Sequence, residues 1–167
     1  VIPRIGNLNV HYALCVLKHF QIKGIPVVNS PESILIAKDK FRCLQALTEK
    51  NIPVPPTILT RSPTQLPKII NLLGNPPTIL KLLKGSKGKG VILANNFNTI
   101  ESVLESIWSL GEDIMIQKFI KESKGRDIRV FIINGKIIGA MQRIAKKGDF
   151  RANIHLWGIG EKVELTK

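Results

Sequence analysis

The sequence predicts an α+β fold with an antiparallel sheet, not a doubly wound parallel one. Three observations carry this. Two short apolar runs, 78–83 and 91–94, flank a basic, glycine-rich loop, Lys84-Gly85-Ser86-Lys87-Gly88-Lys89-Gly90, and read as strands. Residues 127–133 alternate, with Ile128, Val130 and Ile132 on one face and Asp127, Arg129 and Phe131 on the other. Asn134-Gly135 then makes a two-residue hairpin turn that returns the chain as a partner strand over 136–145.

The remaining elements follow in order. Residues 7–21 carry Leu8, Tyr12, Leu14, Cys15, Val16 and Leu17, with Gly24 just beyond, the pattern of an amphipathic helix with a glycine stop. Residues 25–28 predict a short buried strand, and the pair looks like the end of a preceding α/β unit. Ser30-Pro31 starts a helix. A further helix spans 38–50, with Phe41, Leu44 and Leu47 on one face. Residues 57–59 predict a strand. Ser62-Pro63-Thr64-Gln65 reads as a capping box for a helix ending at Gly74, and Asn98-Thr99-Ile100-Glu101 as a second box for a helix stopped by Gly111. Residues 114–120 predict a strand and 121–126 a polar loop.

The 167 residues suffice for one domain or two small lobes. Lys and Arg total 25 against 12 Asp and Glu, a net charge of +13 that favours anionic partners such as nucleotide, RNA, a ribosomal surface or an acidic peptide. Six Phe, two Trp and one Tyr are few for stacking bases along a strand, which weakens the nucleic-acid alternative. No uncharged apolar run reaches membrane-spanning length. Cys15 and Cys43 match no metal spacing and predict buried free thiols in a reducing cytoplasm. The opening Val-Ile-Pro-Arg-Ile-Gly reads as the tail of a strand, so the chain is expected to be cut from a longer protein.

Three places bear on chemistry. The glycine-rich loop can form an anion-binding nest, or it is a solvated turn kept soluble by lysines; Lys81 adds a cation inside the adjoining strand. The loop is neither a Walker P-loop nor a dinucleotide fingerprint, because it returns to a strand. Lys38, Lys40 and Arg42 begin a helix whose dipole disfavours cations there, which points to an anion from outside or to a solvated basic face. Asp127, Arg129 and Arg143 can share one face of the hairpin, as an ion-pair network or as a nucleotide contact. Arg151 can fork onto phosphate, and Asn153 can orient phosphate or a metal-bound water.

The ordered set resembles the ATP-grasp superfamily, and within it the RimK-type ligases that add glutamate to the C-terminus of a small-subunit ribosomal protein. The resemblance rests on Lys38-Asp39-Lys40, Ile79-Leu80-Lys81 entering the glycine-rich loop, Ile116-Gln117-Lys118-Phe119-Ile120, Asp127-Ile128-Arg129 with its Asn-Gly turn, and Phe150-Arg151-Ala152-Asn153. It implies two α+β lobes with ATP between them over 37–167, preceded by the tail of a pre-ATP-grasp α/β domain over 1–36. It implies nucleotide contacts from Lys40, Lys81, Lys118, Phe119, Asp127, Arg151, Ala152 and Asn153, with Arg143 near the reacting phosphate. The implied reaction is carboxylate–amine ligation through an acylphosphate, in the cytoplasm, with ATP, glutamate and a ribosomal-protein tail as partners, Mg²⁺ or Mn²⁺ as the metal, and a homo-oligomer admitted.

Three departures are visible. Lys118 stands where the family offers an acidic residue. Leu156-Trp157-Gly158 replaces part of a basic, glycine-rich turn. The family's metal-binding Asp and Glu-x-Asn are expected beyond Lys167, and Glu161 and Glu164 do not substitute for them. The alternatives are a catalytically inactive remnant and a basic module for RNA or ribosomes without ATP chemistry.

Overall fold

Two antiparallel sheets divide the strands in the computed structural model, which describes residues 1–6, 9–61, 65–83 and 90–165. The chain runs α1 (Val10–Ile22), α2 (Pro31–Lys38), α3 (Lys40–Glu49), β1 (Thr57–Leu59), α4 (Leu66–Leu72), β2 (Thr78–Leu82), β3 (Val91–Ala94), α5 (Phe97–Ser109), β4 (Ile114–Lys118), β5 (Arg126–Ile133), β6 (Lys136–Ile144) and β7 (Ile159–Lys162). Single 3₁₀ turns occupy Lys121–Ser123 and Ile154–Leu156. The first sheet has the order β1-β4-β2-β3, and the second β5-β6-β7.

Alternation makes the first sheet two-sided. Leu80 pairs with Ile116 on β4 and Ile92 on β3, so all three face one side. That side packs against α4 and α5 through Leu66, Ile70, Leu73, Ile100 and Leu104, the main core. The neighbouring positions Ile79, Lys81 and Gln117 face the other side, where Ile79 pairs with Gln117 and Gln117 with Thr57. In the second sheet Asn134 (φ 48°) and Gly135 (φ 72°) both take left-handed backbone, as the predicted turn requires. Ile128, Phe131, Ile132, Ile137 and Ile159 of this sheet are exposed.

Several expectations change. Residues 25–28 form no strand: Val28 N–H donates to Val1 C=O at 3.0 Å, but this short contact supplies no ladder. The helix expected over 38–50 breaks at Asp39, whose extended backbone (φ −95°, ψ 114°) ends α2 and caps α3 by accepting from Phe41 N–H at 2.9 Å and Arg42 N–H at 3.0 Å. The negative charge that the α3 dipole calls for is thus supplied by the chain itself. Lys38 lies in the last turn of α2, where a cation is favourable, and donates to Gly6 C=O at 2.8 Å. Cys15 is exposed and Cys43 half-buried; both are free thiols. Cys15 faces outward because only Leu17 of α1 is buried among the described residues. The box expected at Ser62 to Thr64 and the loop from Lys84 to Lys89 lie outside the described residues.

The second capping box gives way to a simple N-cap two residues earlier. Asn96, not Asn98, caps α5, accepting from Thr99 N–H at 2.9 Å. Asn96→Ala is expected to cost about 1 kcal/mol in thermal or denaturant unfolding, and Asn98→Ala much less, because only the former leaves helix N–H groups without a side-chain acceptor.

Candidate functional site

A cleft of about 390 Å³ opens between the outer face of the first sheet and the segment after β6. Its sheet wall is Ile79, Lys81, Val91 and Gln117. Its end is Pro55 with Lys118, Phe119 and Ile120, and its far wall is Phe150, Arg151 and Asn153; Lys40 reaches in from the start of α3. Six of the nine residues singled out from sequence therefore line one hollow: Lys40, Lys81, Lys118, Phe119, Arg151 and Asn153. Ala152, between two of them, is buried at 5% exposure.

Lys40 donates to the carbonyls of Leu82 at 2.8 Å and Leu83 at 3.0 Å, at the entry to the glycine-rich segment. Burial lowers its proton affinity below the ordinary lysine value, and Asp39 opposes that shift in part. Lys81 is held by Gln117, whose Oε1 accepts from its ammonium. Burial, and secondarily the charge on Lys40, hold the Lys81 pKa below its ordinary value of 10.5. Two half-desolvated ammonium groups facing one cavity favour an anion that restores their lost solvation.

At the loop's described end, Gly90 has left-handed backbone (φ +70°) that strains any other residue, and a Cβ there would lie 2.7 Å from Leu82 Cδ1, so that side chain would have to shift. Arg151 does not present an open fork. Its guanidinium donates to both Asp149 carboxylate oxygens, at 3.1 and 2.9 Å, and sits 5.6 Å from the Phe150 ring centroid. That pairing raises the Arg151 pKa and lowers that of Asp149.

Lys118 lines the cleft but leans elsewhere: its Nζ would be 3.9 Å from a Cβ at Gly74, on the α4 side. Its backbone N–H donates to Pro56 C=O at 2.9 Å. Asp127 and Arg143 do not line the cleft. They face each other across β5 and β6 as a two-bond ion pair at 2.6 and 2.8 Å, the ion-pair alternative for this cluster. The pairing raises the Arg143 pKa.

Two features carry no role in the sequence reading, and the Trp157-Gly158 departure has a packing reason. Gln117 enters the sequence pattern only within the Ile116-Gln117-Lys118-Phe119-Ile120 motif, although a polar residue directly after the apolar run Ile114-Met115-Ile116 in a buried strand is a usable signal. Asp149's hold on Arg151 depends on loop geometry that sequence does not show. At Gly158 a Cβ would meet the carbonyls of Ala152 and Ile144 at 3.0 Å and of Asn153 at 3.1 Å. Beside it Trp157 is 83% exposed with φ 67°.

Among the described residues no three His, Cys, Asp or Glu side chains converge to hold a metal ion. Glu161 lies exposed on β7 opposite Gln142. The described residues therefore do not fit a divalent cation site, and no step below runs through one.

Fold and cleft together define a lysine- and arginine-lined groove between the outer face of a four-stranded antiparallel sheet and the segment after β6. The chain belongs to the RimK-like ATP-grasp domain family, whose match covers residues 37–167. It is 42% identical over 166 residues to a "Probable alpha-L-glutamate ligase 1" of Shewanella sp. (strain MR-4), covering 99% of this chain and 55% of that protein. The chain thus spans about half the length of the curated relatives it matches. The crystal structure of a RimK domain ATP-grasp protein from Sphaerobacter thermophilus superposes with a TM-score of 0.65 at 25% identity, over 83% of this chain and 54% of that one. D-alanine–D-alanine ligase from Bacillus anthracis, complexed with ATP, shares the fold with a TM-score of 0.65 at 23% identity, over 90% of this chain and 48% of that one. These neighbours agree with an α+β ATP-grasp architecture.

Two outcomes are expected here. The folded chain binds fewer protons at Lys81 than the unfolded chain between the lowered pKa and 10.5, so wild type gains stability as pH rises through that window. Methionine does not titrate. The Tm of Lys81→Met minus that of wild type, measured without ligand, should therefore fall as pH approaches 10.5. Gly158→Ala should cost about 2 kcal/mol in denaturant unfolding, because three backbone carbonyls would have to move.

Proposed function

We propose that this chain carries the nucleotide-binding part of an ATP-dependent carboxylate–amine ligase that adds glutamate to a protein C-terminus. The observation that carries the reading is the convergence of Lys40 from α3, Lys81 from β2 and Arg151 from the segment after β6 on one cleft. The names of the similar proteins, which include glutamate ligases and an ATP complex, support it.

In this reading Lys40 and Lys81 hold the phosphates. Phe119 and the Lys118 backbone border the base. Ala152 and Asn153 complete the far wall, and Arg151 approaches the phosphates once its hold on Asp149 is shared. Asp127 and Arg143 brace the second sheet through their ion pair and are not assigned a phosphate contact. ATP supplies the phosphoryl group that turns a carboxylate into an acylphosphate; the amine nitrogen attacks the acyl carbon and phosphate leaves. The protein's part is positioning and charge stabilisation, so no nucleophilic side chain is required. The net charge of +13 draws in glutamate and an acidic acceptor tail, such as that of a small-subunit ribosomal protein, in the cytoplasm. Among the described residues no helix is long and apolar enough to cross a membrane.

A thermal-shift titration with Mg-ATP tests the reading. At about a hundredfold excess over Kd, ATP should raise Tm by roughly 5–10 °C. The shift should fall to about half in Lys81→Met, as a roughly tenfold weaker Kd requires. An unmoved wild-type Tm overturns the nucleotide assignment. Binding to RNA with a steep salt dependence, in place of ATP binding, would favour the basic-module alternative.

A further inference from the structure

Gln117 is the buried polar residue of the sheet face that walls the cleft, 6% exposed and placed in β4 between the apolar run Ile114-Met115-Ile116 and the exposed Lys118. Burying an amide there is unfavourable unless its donor and acceptor are both used. Both are. Its Oε1 accepts from the Lys81 ammonium. Its Nε2 donates to Thr57 Oγ1 at 2.7 Å, and that hydroxyl donates to Pro55 C=O at 2.8 Å.

The relay has a direction. Pro55 offers only an acceptor, so the Thr57 hydroxyl must donate to it and accept from the amide. The amide is thereby oriented with its carbonyl oxygen toward Lys81. The strands set the same geometry: Thr57 and Ile79 flank Gln117 on β1 and β2, and Lys81 is the next residue along the same face of β2.

The chemical identity of the residue matters as much as its place. A carboxylate at 117 would hold the ammonium equally well but cancel its charge and repel a polyanion. An aliphatic side chain would leave the ammonium unanchored. A neutral acceptor fixes the position and keeps the full positive charge available to a ligand. We propose that Gln117 is a positioning residue that holds the Lys81 ammonium, through Thr57 and Pro55, at the place where a phosphate group is bound. This rests on the nucleotide reading of the cleft.

The test is a double-mutant cycle read as phosphate selectivity, the affinity for ATP divided by that for adenosine, by calorimetry on wild type, Gln117→Leu, Lys81→Met and the double variant. Gln117→Leu should reduce selectivity about tenfold with little change in adenosine affinity, because a hydrogen bond to a charged group is lost. In the Lys81→Met background the same substitution should change selectivity less than twofold, since the group it positions is absent. Gln117→Glu should lower ATP affinity at least as far as Gln117→Leu. Thr57→Val, which cuts the relay at its far end, should act in the same direction with smaller size.

A purely structural role would give equal losses for ATP and adenosine and the same effect in both Lys81 backgrounds, and that result overturns the proposal. ATP affinity in Gln117→Glu equal to wild type would overturn it as well. Wild type with no preference for ATP over adenosine would overturn the nucleotide reading, and the proposal falls with it. Wild-type selectivity with zero coupling in the cycle removes the positioning role alone.

Discussion

Everything at the cleft depends on the two-sidedness of the four-stranded sheet. One residue along β2, Leu80, is fully buried against α4 and α5; the next, Lys81, looks into the cavity. A period of two residues makes these choices inseparable. Slipping the register by one would bring Lys81 and Gln117 into the helical core and expose Leu80 and Ile116. The apolar side thus anchors the cationic side, and the position of the charged groups follows from the packing of residues that never touch a ligand.

The second constraint is desolvation. Lys40 and Lys81 are carried away from bulk water by the same walls that make the hollow, and each finds a partial substitute in a neutral oxygen: two backbone carbonyls for one, an amide for the other. Neutral partners leave the charges in place. The arginines are treated differently. Arg143 and Arg151 each meet a carboxylate in a two-bond pair, which fixes them firmly but reduces their pull on an anion. Within the cleft, Lys81 is thus held by a neutral amide oxygen and Arg151 by a carboxylate.

Much of this was legible in the sequence. The strand at β5, the Asn-Gly turn and the short apolar runs of β2 to β4 belong to local patterns that survive into the fold, although a register shift between Phe131 and Ile132 interrupts the alternation of β5 and both of its faces are largely exposed. The grouping of Lys40, Lys81, Arg151 and Asn153 was legible only through the order of motifs that resemble a family, since these residues lie far apart along the chain. What escaped has a common physical cause. The break at Asp39, the cap at Asn96, the exposure of Cys15 and the grip of Asp149 on Arg151 turn on which of several nearby groups captures a hydrogen bond or a neighbour. The residues 25–28 have strand composition, but a strand also needs a partner with matching backbone groups.

Lys40 already spans the carbonyls of Leu82 and Leu83 at the root of the glycine-rich segment. An anionic oxygen arriving at that ammonium competes with these carbonyls, and its gain is the excess of a charge-assisted bond over a bond to a neutral acceptor. The stem itself stays tied by Leu82 N–H on Gly90 C=O and Leu83 N–H on Asp113 C=O, so the lysine can change partner while the strand end keeps its place.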